Sequence, residues 1–410
     1  MWSPVHRYYL PLLNSDKKMV SQSPSMPYWR LSAYYFLFFA TIGIYMPYWP
    51  LYLRSINFDA QQIGFIAAIT VGTRVFSTYL WSWAADYKGQ KMPMVRITSC
   101  CATVVFIAVL WVTDFWLLVI LMFLFSLFWG ASLPQIEAIT LSALNNSVHD
   151  YSLVRLWGSV GFVFIGCLGI IFASLSIDFL PLILLCSLLL VWLMTLAIPT
   201  DKSTQLEHVA GHQEHNSMLN CIKQPQVLAL LFICFLMLLS HGPYYTFYSI
   251  YLQDNGYSRA MISGLWVLGV IAEIIVFLVM SRLIMFFGLR KLLLFSLFVA
   301  GLRWFLIACF VDNLPLLISA QLLHAATFGV WHAVAIQYVH QFFTSRLQAR
   351  GQGLYNSVSF GAGFAVGTIL SGYGWESLGA TSCFAIAAVM AFLAMLITHL
   401  FIRDIDVVAV

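Results

Sequence analysis

Twelve apolar runs, each long enough to cross a bilayer, occupy most of the chain after residue 30. A transmembrane helix needs about 20 predominantly apolar residues, and inside hydrocarbon each backbone amide needs a hydrogen-bond partner within the protein. Because the runs are far longer than the strands of a membrane barrel, we predict an all-α integral membrane protein. The predicted spans are 31–53, 62–85, 95–113, 115–142, 152–175, 180–198, 225–252, 260–281, 290–311, 314–341, 351–374 and 380–402.

The composition is also typical of a protein in lipid. Hydrophobic residues make up 61% of the chain and charged residues 9%, whereas soluble domains carry about 25% charged residues. A water-soluble globular protein is therefore excluded. The 8 cysteines lie mostly within spans and show no CxxC spacing, so we expect no disulfide, no metal site and no cofactor.

Lysine and arginine are distributed unequally between the two sets of loops. Both termini and the even-numbered loops carry nearly all of those outside the spans, whereas the opposite side carries only Arg54 and Arg259. Cytoplasmic loops are enriched in Lys and Arg, so we predict that both termini are cytoplasmic and that the protein lies in the cell inner membrane. The same distribution accounts for the net charge of +4, which therefore does not point to a nucleic-acid partner.

The longest connection, 199–224, is polar and divides the spans into two sets of six. It contains His208, His212 and His215, whose spacing would suit a metal site on a helix, but a polar, Gly-containing segment favours a solvated linker. The predicted organisation is a cytoplasmic tail (1–30), a six-helix bundle (31–198), a cytoplasmic linker (199–224), a second six-helix bundle (225–402) and a cytoplasmic tail (403–410).

The two sets of spans have similar sequences when one is aligned on the other with an offset of 199 residues. Repeats of this kind relate the two halves of many transporters by a pseudo-two-fold axis, with the substrate site between them. We therefore predict two pseudo-symmetric bundles. The aligned pairs include Gly43 with Gly242, Tyr45 with Tyr244, Trp49 with Tyr248, Tyr52 with Tyr251 and Gly89 with Gly288.

The same offset makes Arg74 in span two equivalent to Glu273 in span eight. Each lies about a dozen positions from the outer end of its helix, which places it near the bilayer midplane. An isolated carboxylate there costs at least about 2.5 kcal/mol, so it is tolerated when it is paired, protonated or facing water. Two interpretations remain open: Arg74 and Glu273 face a transport cavity, or they form a static bridge that joins the bundles.

Few other charges lie within the predicted spans. Glu137 and Arg155 are in consecutive helices, and an antiparallel hairpin would bring them to similar depth. His324 in span ten shares a helix face with Thr327; its imidazole could carry a proton or could only make a hydrogen bond within the packed core. Arg303 is the remaining arginine well inside a span.

Aromatic side chains recur at i, i+4 and i+7 near the outer ends of spans one and seven. An interfacial aromatic belt and a ligand-stacking cavity wall would both place them there. Their presence in both bundles favours the cavity, and nearby prolines could kink the helices beside it. The aromatic residues are Tyr45, Trp49, Tyr52, Tyr244, Tyr248 and Tyr251, and the prolines are Pro47, Pro50 and Pro243.

The twelve-span layout with a central loop resembles the major facilitator superfamily. The segment SWAADYKGQK is similar to the signature of its loop between spans two and three: it retains Asp86, Gly89 and Lys91, and Ser82 stands where a glycine is expected. The resemblance implies that this motif acts in conformational change. The segments GIYMPYWPLYL, VRLWGSVGF, GLRWFL and QLLHAATF resemble the phenylpropionate permease group, which is similar to the lactose permease and the nucleoside/proton symporters.

This resemblance implies roles for individual residues. Glu137 and Arg155 resemble the sugar-binding acid and arginine of the lactose permease. Arg303 and His324 resemble its arginine on helix nine and its histidine on helix ten, but Thr327 stands where that permease has a proton-carrying Glu. The candidate proton carriers are therefore Glu273, Glu137 and His324.

We expect a transporter that works by alternating access, with a small-molecule substrate and a proton bound near the midplane. The favoured function is proton-coupled import of an aromatic or other organic acid by a monomer; nucleoside or sugar symport and proton-antiport export remain as alternatives. An enzyme is not expected, because the sequence offers no convergent nucleophile or metal cluster. The candidate substrate-binding residues are Glu137, Arg155, Arg74, Arg303, Tyr45, Trp49, Tyr244 and Tyr248, and those for proton coupling are Glu273 and His324.

Overall fold

The structure is a computed structural model that describes residues 28–89, 91–144, 148–171, 173–199, 214–343 and 347–404. The described residues form helices joined by short turns, with no strand among them. The helices are α1 (Tyr28–Ser55), α2 (Ala60–Lys88), α3 (Lys91–Val109), α4 (Phe115–Ala143), α5 (Val148–Ile171), α6 (Leu180–Ala197), α7 (Glu214–Ile222), α8 (Pro225–Ser240), α9 (Gly242–Asp254), α10 (Arg259–Phe287), α11 (Leu289–Cys309), α12 (Leu314–Leu322), α13 (Trp331–Phe342), α14 (Gln348–Asn356), α15 (Phe364–Ser377) and α16 (Ala380–Phe401).

Eleven of the described helical segments are long and apolar enough to cross a membrane. The one predicted span that is not among these eleven segments is span eleven, 351–374. It is also helical, but it is rich in glycine and serine. The all-helical membrane fold predicted from the apolar runs is thereby confirmed. We refer to α1–α6 as the N-terminal bundle and to α8–α16 as the C-terminal bundle.

Several helix ends carry a local signal in the sequence. Asp114 caps α4 by accepting a hydrogen bond from the Leu117 amide (2.9 Å), which satisfies one of the free N–H groups of the first turn. Ser258 does the same for α10 through the Met261 amide (3.3 Å). The α10–α11 turn passes through Gly288 at φ +77°, a conformation that glycine adopts without steric cost.

Three spans are not continuous α-helices. Span seven is interrupted at His241, between α8 and α9, one turn before Tyr245. Spans ten and eleven each contain a π-helical segment, Ala325–Val330 and Ser357–Gly363. In contrast, α1 continues through Pro47 and Pro50. Single-turn π-helical segments occur frequently at functional sites because the extra residue redirects the side chains that follow.

The predicted connections are only partly within the described residues. Most of the N-terminal tail, the linker from 200 to 213, and 405–410 lie outside them. The described part of the linker is mainly helical, because α7 occupies Glu214–Ile222. In the loop motif, Gly89 has φ +62° and Lys91 begins α3, while the Asp86 side chain lies outside the described set.

The two bundles contact each other through α2 with α15, α5 with α10 and α1 with α9. The α2–α15 contact is close because both helices present glycine: a Cβ atom added at Gly64 would lie 3.0 Å from the Gly372 Cα atom. On the α5–α10 contact, Ser263 donates a hydrogen bond to the Gly166 carbonyl (2.8 Å). Backbones pack this closely in membranes where small residues line the interface.

Polar contacts join the bundles at the end of the molecule that holds Arg54, which we call the Arg54 end. Arg54 forms an ion pair with Asp254 (2.6 Å), and the Ala60 amide donates to the Glu376 carboxylate (3.0 Å). The side chains of Arg54 and Asp254 are 43% and 41% exposed, so their ion pair contributes at most about 1 kcal/mol. Closure of this end therefore depends on glycine packing together with several weak polar contacts.

Alanine at Gly161 should destabilise the N-terminal bundle, whereas alanine at Gly72 should not. A Cβ atom at Gly161 would collide with the backbone of Phe36 on α1, and nothing lies within 4 Å of one at Gly72. Overpacking costs about 1–3 kcal/mol, while Gly→Ala in an open helical position gains up to about 1 kcal/mol. Thermal unfolding in detergent, followed by size-exclusion fluorescence, should show a lower midpoint for Gly161→Ala only; equal midpoints would contradict the close α1–α5 contact.

Candidate functional site

A cavity of about 370 Å³ lies between the two bundles. The N-terminal bundle supplies most of its wall, from α1 to α6, and the C-terminal bundle supplies side chains from α9, α15 and both π-helical segments. The volume is within the range of small-molecule sites. A cavity shared by two helical bundles is where a transporter of this architecture binds its substrate.

Four of the eight predicted substrate-binding residues line this cavity: Tyr45, Trp49, Arg74 and Arg155. The Tyr45 and Trp49 rings are stacked, with centroids 5.6 Å apart and planes at 18°. They are one turn apart on α1 and present a continuous aromatic surface to the cavity. Such a surface can stack against an apolar ring of a ligand.

Arg155 and Glu137 are brought together, as the hairpin of α4 and α5 predicted. Arg155 Nε is 3.6 Å from Glu137 Oε1, and both side chains are about one third exposed. The Arg155 guanidinium also lies over the Phe39 ring at 4.0 Å, which is a cation–π contact. Gly158, one turn along α5, leaves room for this arrangement, because a Cβ atom there would lie 3.0 Å from Arg155 Nη1.

Glu273 and His324, the two candidates for proton coupling, form a pair within the C-terminal bundle. Glu273 Oε2 is 3.8 Å from His324 Nε2. Two glycines allow the helices to approach: a Cβ atom at Gly329 would lie 3.3 Å from Glu273 Cγ, and one at Gly269 would lie 3.3 Å from His324 Cδ2. The carboxylate and the imidazole are therefore held in contact by close packing of α10 against span ten.

This pair lies directly behind the cavity wall. The His324 ring is stacked on Phe328, with centroids 5.7 Å apart and planes at 18°, and Phe328 lines the cavity. The Arg155 guanidinium, on the N-terminal bundle, acts electrostatically on Glu273. A proton on the Glu273–His324 pair would therefore be separated from a bound substrate by the Phe328 ring. It would also interact with the charge of Arg155, which lines the cavity.

The Arg74–Glu273 static bridge considered from the sequence is wrong. Glu273 contacts His324 instead, and Arg74 takes part in no ion pair with another described residue. The group that acts electrostatically on Arg74 is Tyr45. The physical reason is the route of the helices: α2 packs against α15 of the opposite bundle, whereas α10 packs against α5, so the equivalent positions do not meet.

Arg303, Tyr244 and Tyr248 were also predicted to bind substrate, but the structure places all three behind the cavity wall. Arg303 is fully buried and lies 4.1 Å from the Tyr244 ring centroid. Tyr244 donates to Gln321 Oε1 (2.9 Å), and Gln321 donates to the Tyr248 hydroxyl (2.6 Å). These contacts form a hydrogen-bonded cluster in the C-terminal bundle, in which Arg303 Nη2 is left without a partner, and none of the three side chains lines the cavity.

The side chains that take their place are Tyr245 and Thr246. At the offset of 199, Tyr245 is equivalent to Met46, which also lines the cavity, whereas Tyr244 and Tyr248, the equivalents of Tyr45 and Trp49, do not line it. Span one is continuous and span seven is interrupted at His241, just before these residues, so the two spans present only partly equivalent faces. Phe328 and Phe360, which also line the cavity, lie in the two π-helical segments and had no distinguishing signal in the sequence.

The chain is similar to known membrane transporters in sequence and in fold. The family model described as MFS_1 like family matches residues 28–386. The chain is 29% identical over 367 residues to the "Probable 3-phenylpropionic acid transporter" of Escherichia coli (strain K12), covering 88% of this chain and 94% of that protein.

Solved structures show the same fold. The nucleoside transporter NupG superposes with a TM-score of 0.78 at 19% identity, covering 90% of this chain and 98% of that one. A D-xylose-proton symporter superposes with a TM-score of 0.72 at 12% identity, covering 92% and 97%. These relatives and structures are transporters, not enzymes. The chain therefore belongs to the MFS_1 like family, and it is a multi-pass membrane transporter with the major facilitator fold.

Proposed function

We propose that this protein is a proton-coupled symporter that imports a small organic acid, with an aromatic acid as the best-supported class. The observation that carries the proposal is the cavity between the bundles, which combines Arg74 and Arg155 with a wall that is otherwise mainly aromatic and aliphatic. A guanidinium binds a carboxylate by charge-assisted hydrogen bonds. The remaining wall suits an apolar body rather than a polar one.

The small number of polar side chains favours an acid over a sugar or a nucleoside. Apart from the two arginines, the polar groups of the wall come from threonine, tyrosine and tryptophan side chains. A sugar or nucleoside exposes many hydroxyl and amide groups, and each buried one left without a partner costs about 1–3 kcal/mol. The name of the Escherichia coli relative, which specifies 3-phenylpropionic acid, also supports an aromatic acid.

Proton coupling is proposed at the Glu273–His324 pair. Burial and a neighbouring guanidinium act in opposite senses on the proton affinity of any carboxylate, so a change in the distance from Arg155 to Glu273 would change proton binding. Transport would proceed by alternating access, with the two bundles rocking around the cavity. Contacts at the Arg54 end support a state in which that end is closed.

Location and orientation are part of the same proposal. The Lys and Arg distribution supports an orientation with both termini in the cytoplasm and the Arg54 end outside. The proposed state is a monomer in the cell inner membrane. An inward-moving proton gains about 2.3 kcal/mol per 100 mV of membrane potential, and a monoanion that moves with it loses the same amount. One-to-one symport of a monoanion is therefore electroneutral, and the pH gradient drives its accumulation.

The experiment that tests the function is counterflow in proteoliposomes with a panel of solutes. We expect exchange of labelled 3-phenylpropionate against unlabelled aromatic acids, alkalinisation of the medium during net uptake, and no exchange against uridine or maltose. Exchange of uridine or maltose without exchange of any aromatic acid would contradict the proposed substrate class and indicate a nucleoside or sugar transporter. Uptake into inside-out vesicles only when they are acidified internally would instead indicate a proton-antiport exporter.

Glu273→Gln should abolish uphill uptake but preserve exchange. The amide keeps the size of the side chain but cannot carry the coupled proton. Net uptake with a proton is therefore lost, whereas exchange of substrate present on both sides of the membrane can continue. The measurement compares accumulation driven by an imposed proton gradient with counterflow at equal pH. Asp312→Asn, which removes an exposed carboxylate in the α11–α12 turn, is the matched control and should retain both activities. Unchanged uphill uptake by Glu273→Gln would remove this residue from coupling.

A further inference from the structure

We propose that Arg74, rather than Arg155 or Arg303, is the residue that binds the carboxylate of the substrate and selects a singly charged anion. The proposal rests on the proposed function, because it identifies the specificity-determining residue of that same cavity. The three arginines lie within the membrane-spanning helices, but their surroundings differ. Those differences decide which guanidinium is available.

Arg303 is not available to a ligand. Its side chain is fully buried; Nε donates to the Ala320 carbonyl (2.9 Å) and Nη1 donates to Thr327 Oγ1 (3.3 Å). The guanidinium is further enclosed by the Tyr244 and Trp304 rings, at 4.1 and 4.6 Å. It therefore stabilises the packed core of the C-terminal bundle and does not reach the cavity.

Arg155 reaches the cavity, but its charge is already compensated. Glu137 lies 3.6 Å from its Nε atom, and one face of the guanidinium is covered by Phe39 at 4.0 Å. A substrate carboxylate would have to compete with Glu137 for the same cation. Arg155 also acts electrostatically on Glu273, so its charge is shared with a second carboxylate.

Arg74 lines the cavity without such a partner. Its Nε atom is buried and has no hydrogen-bond acceptor, and none of the ion pairs among the described residues includes it. A buried cation without a partner is costly in a membrane interior, and the cost is removed when a carboxylate occupies the site. The cavity thus holds one uncompensated positive charge, which matches a monoanion.

The helix that carries Arg74 is fixed against α4. Ser77 donates to the Leu127 carbonyl (2.6 Å), and Trp81 Nε1 donates to the same oxygen (2.8 Å). Gly130 on α4 faces Arg74 so closely that a Cβ atom there would lie 3.2 Å from its Cγ atom. The stem of Arg74 is therefore preorganised, and the head group is directed to the cavity rather than to lipid.

Groups beside Arg74 complete the site. Tyr45 is near enough to act electrostatically on its guanidinium, and both Tyr45 and Thr70 line the same cavity. With the carboxylate at Arg74, the body of the substrate would lie against Trp49 and Trp129, both of which also line the cavity. An acid with a single aromatic ring presents one charge to the arginine and one apolar ring to these indoles.

The test compares a carboxylate with its neutral amide. Affinities of purified protein for 3-phenylpropionate and 3-phenylpropionamide are measured by calorimetry and by counterflow, for wild type, Arg74→Gln, Arg74→Lys and the control Arg282→Gln, which alters an exposed arginine. Loss of a charge-assisted hydrogen bond costs roughly tenfold or more in affinity. We expect wild type and Arg282→Gln to prefer the acid by at least about tenfold, and Arg74→Gln to lose this preference.

Arg74→Lys should retain a reduced preference, because an ammonium supplies the charge but not the planar pair of donors. Should Arg74→Gln fail to fold, wild-type protein provides a second measurement. Phenylglyoxal labelling followed by mass spectrometry should show that 3-phenylpropionate, and not the amide, protects Arg74. Absence of that protection would overturn the proposal.

The outcomes separate this proposal from the function on which it rests. Wild-type transport of the acid together with an undiminished acid preference in Arg74→Gln would overturn the role of Arg74 and leave the transport function in place. Failure of wild type to bind or exchange any carboxylate would contradict the proposed substrate class itself. Loss of acid preference in Arg74→Gln with retained binding of the amide would support both.

Discussion

The low dielectric of the bilayer interior is the constraint on which the rest of the structure depends. It requires each backbone amide to be paired within a helix, and it makes each buried charge costly unless a partner or water is near. The few charged side chains in the middle of the spans therefore lie beside the cavity or in hydrogen-bonded clusters. Arg303 in its core and Arg155 beside Glu137 are two solutions to the same constraint.

The fold could be predicted from the sequence because this constraint acts on stretches of about 20 residues and leaves a compositional record. The predicted spans 115–142 and 314–341 coincide within two residues with the helical segments Phe115–Ala143 and Leu314–Phe342. The interior of a span is less predictable. A π-helical segment such as Ala325–Val330 adds one residue to a turn, and no composition or periodicity distinguishes it from the α-helix around it.

The residue types of the candidate site could be predicted, but only one of its pairings could. Charge in an apolar span was sufficient to select Arg74, Glu137, Arg155 and Glu273, and the hairpin geometry was sufficient to pair two of them. The partner of Glu273 was not predicted, because the internal repeat aligned Glu273 with Arg74 of the opposite bundle, whereas its contact is His324 of its own bundle. Tyr245 was missed because the aromatic spacing selected Tyr244 and Tyr248, which do not line the cavity.

The broken equivalence of the two bundles has a functional consequence. The N-terminal bundle supplies both cavity arginines, and the C-terminal bundle supplies the carboxylate and imidazole behind the wall. Arg155 is the one described side chain that has contact with Glu137 and also acts on Glu273 across the bundle interface. In the proposed rocking of the bundles, the distance between α5 and α10 would change, so the movement that opens the cavity would also change the electrostatic environment of Glu273. Substrate access and proton binding would then be coupled by geometry, without a separate relay.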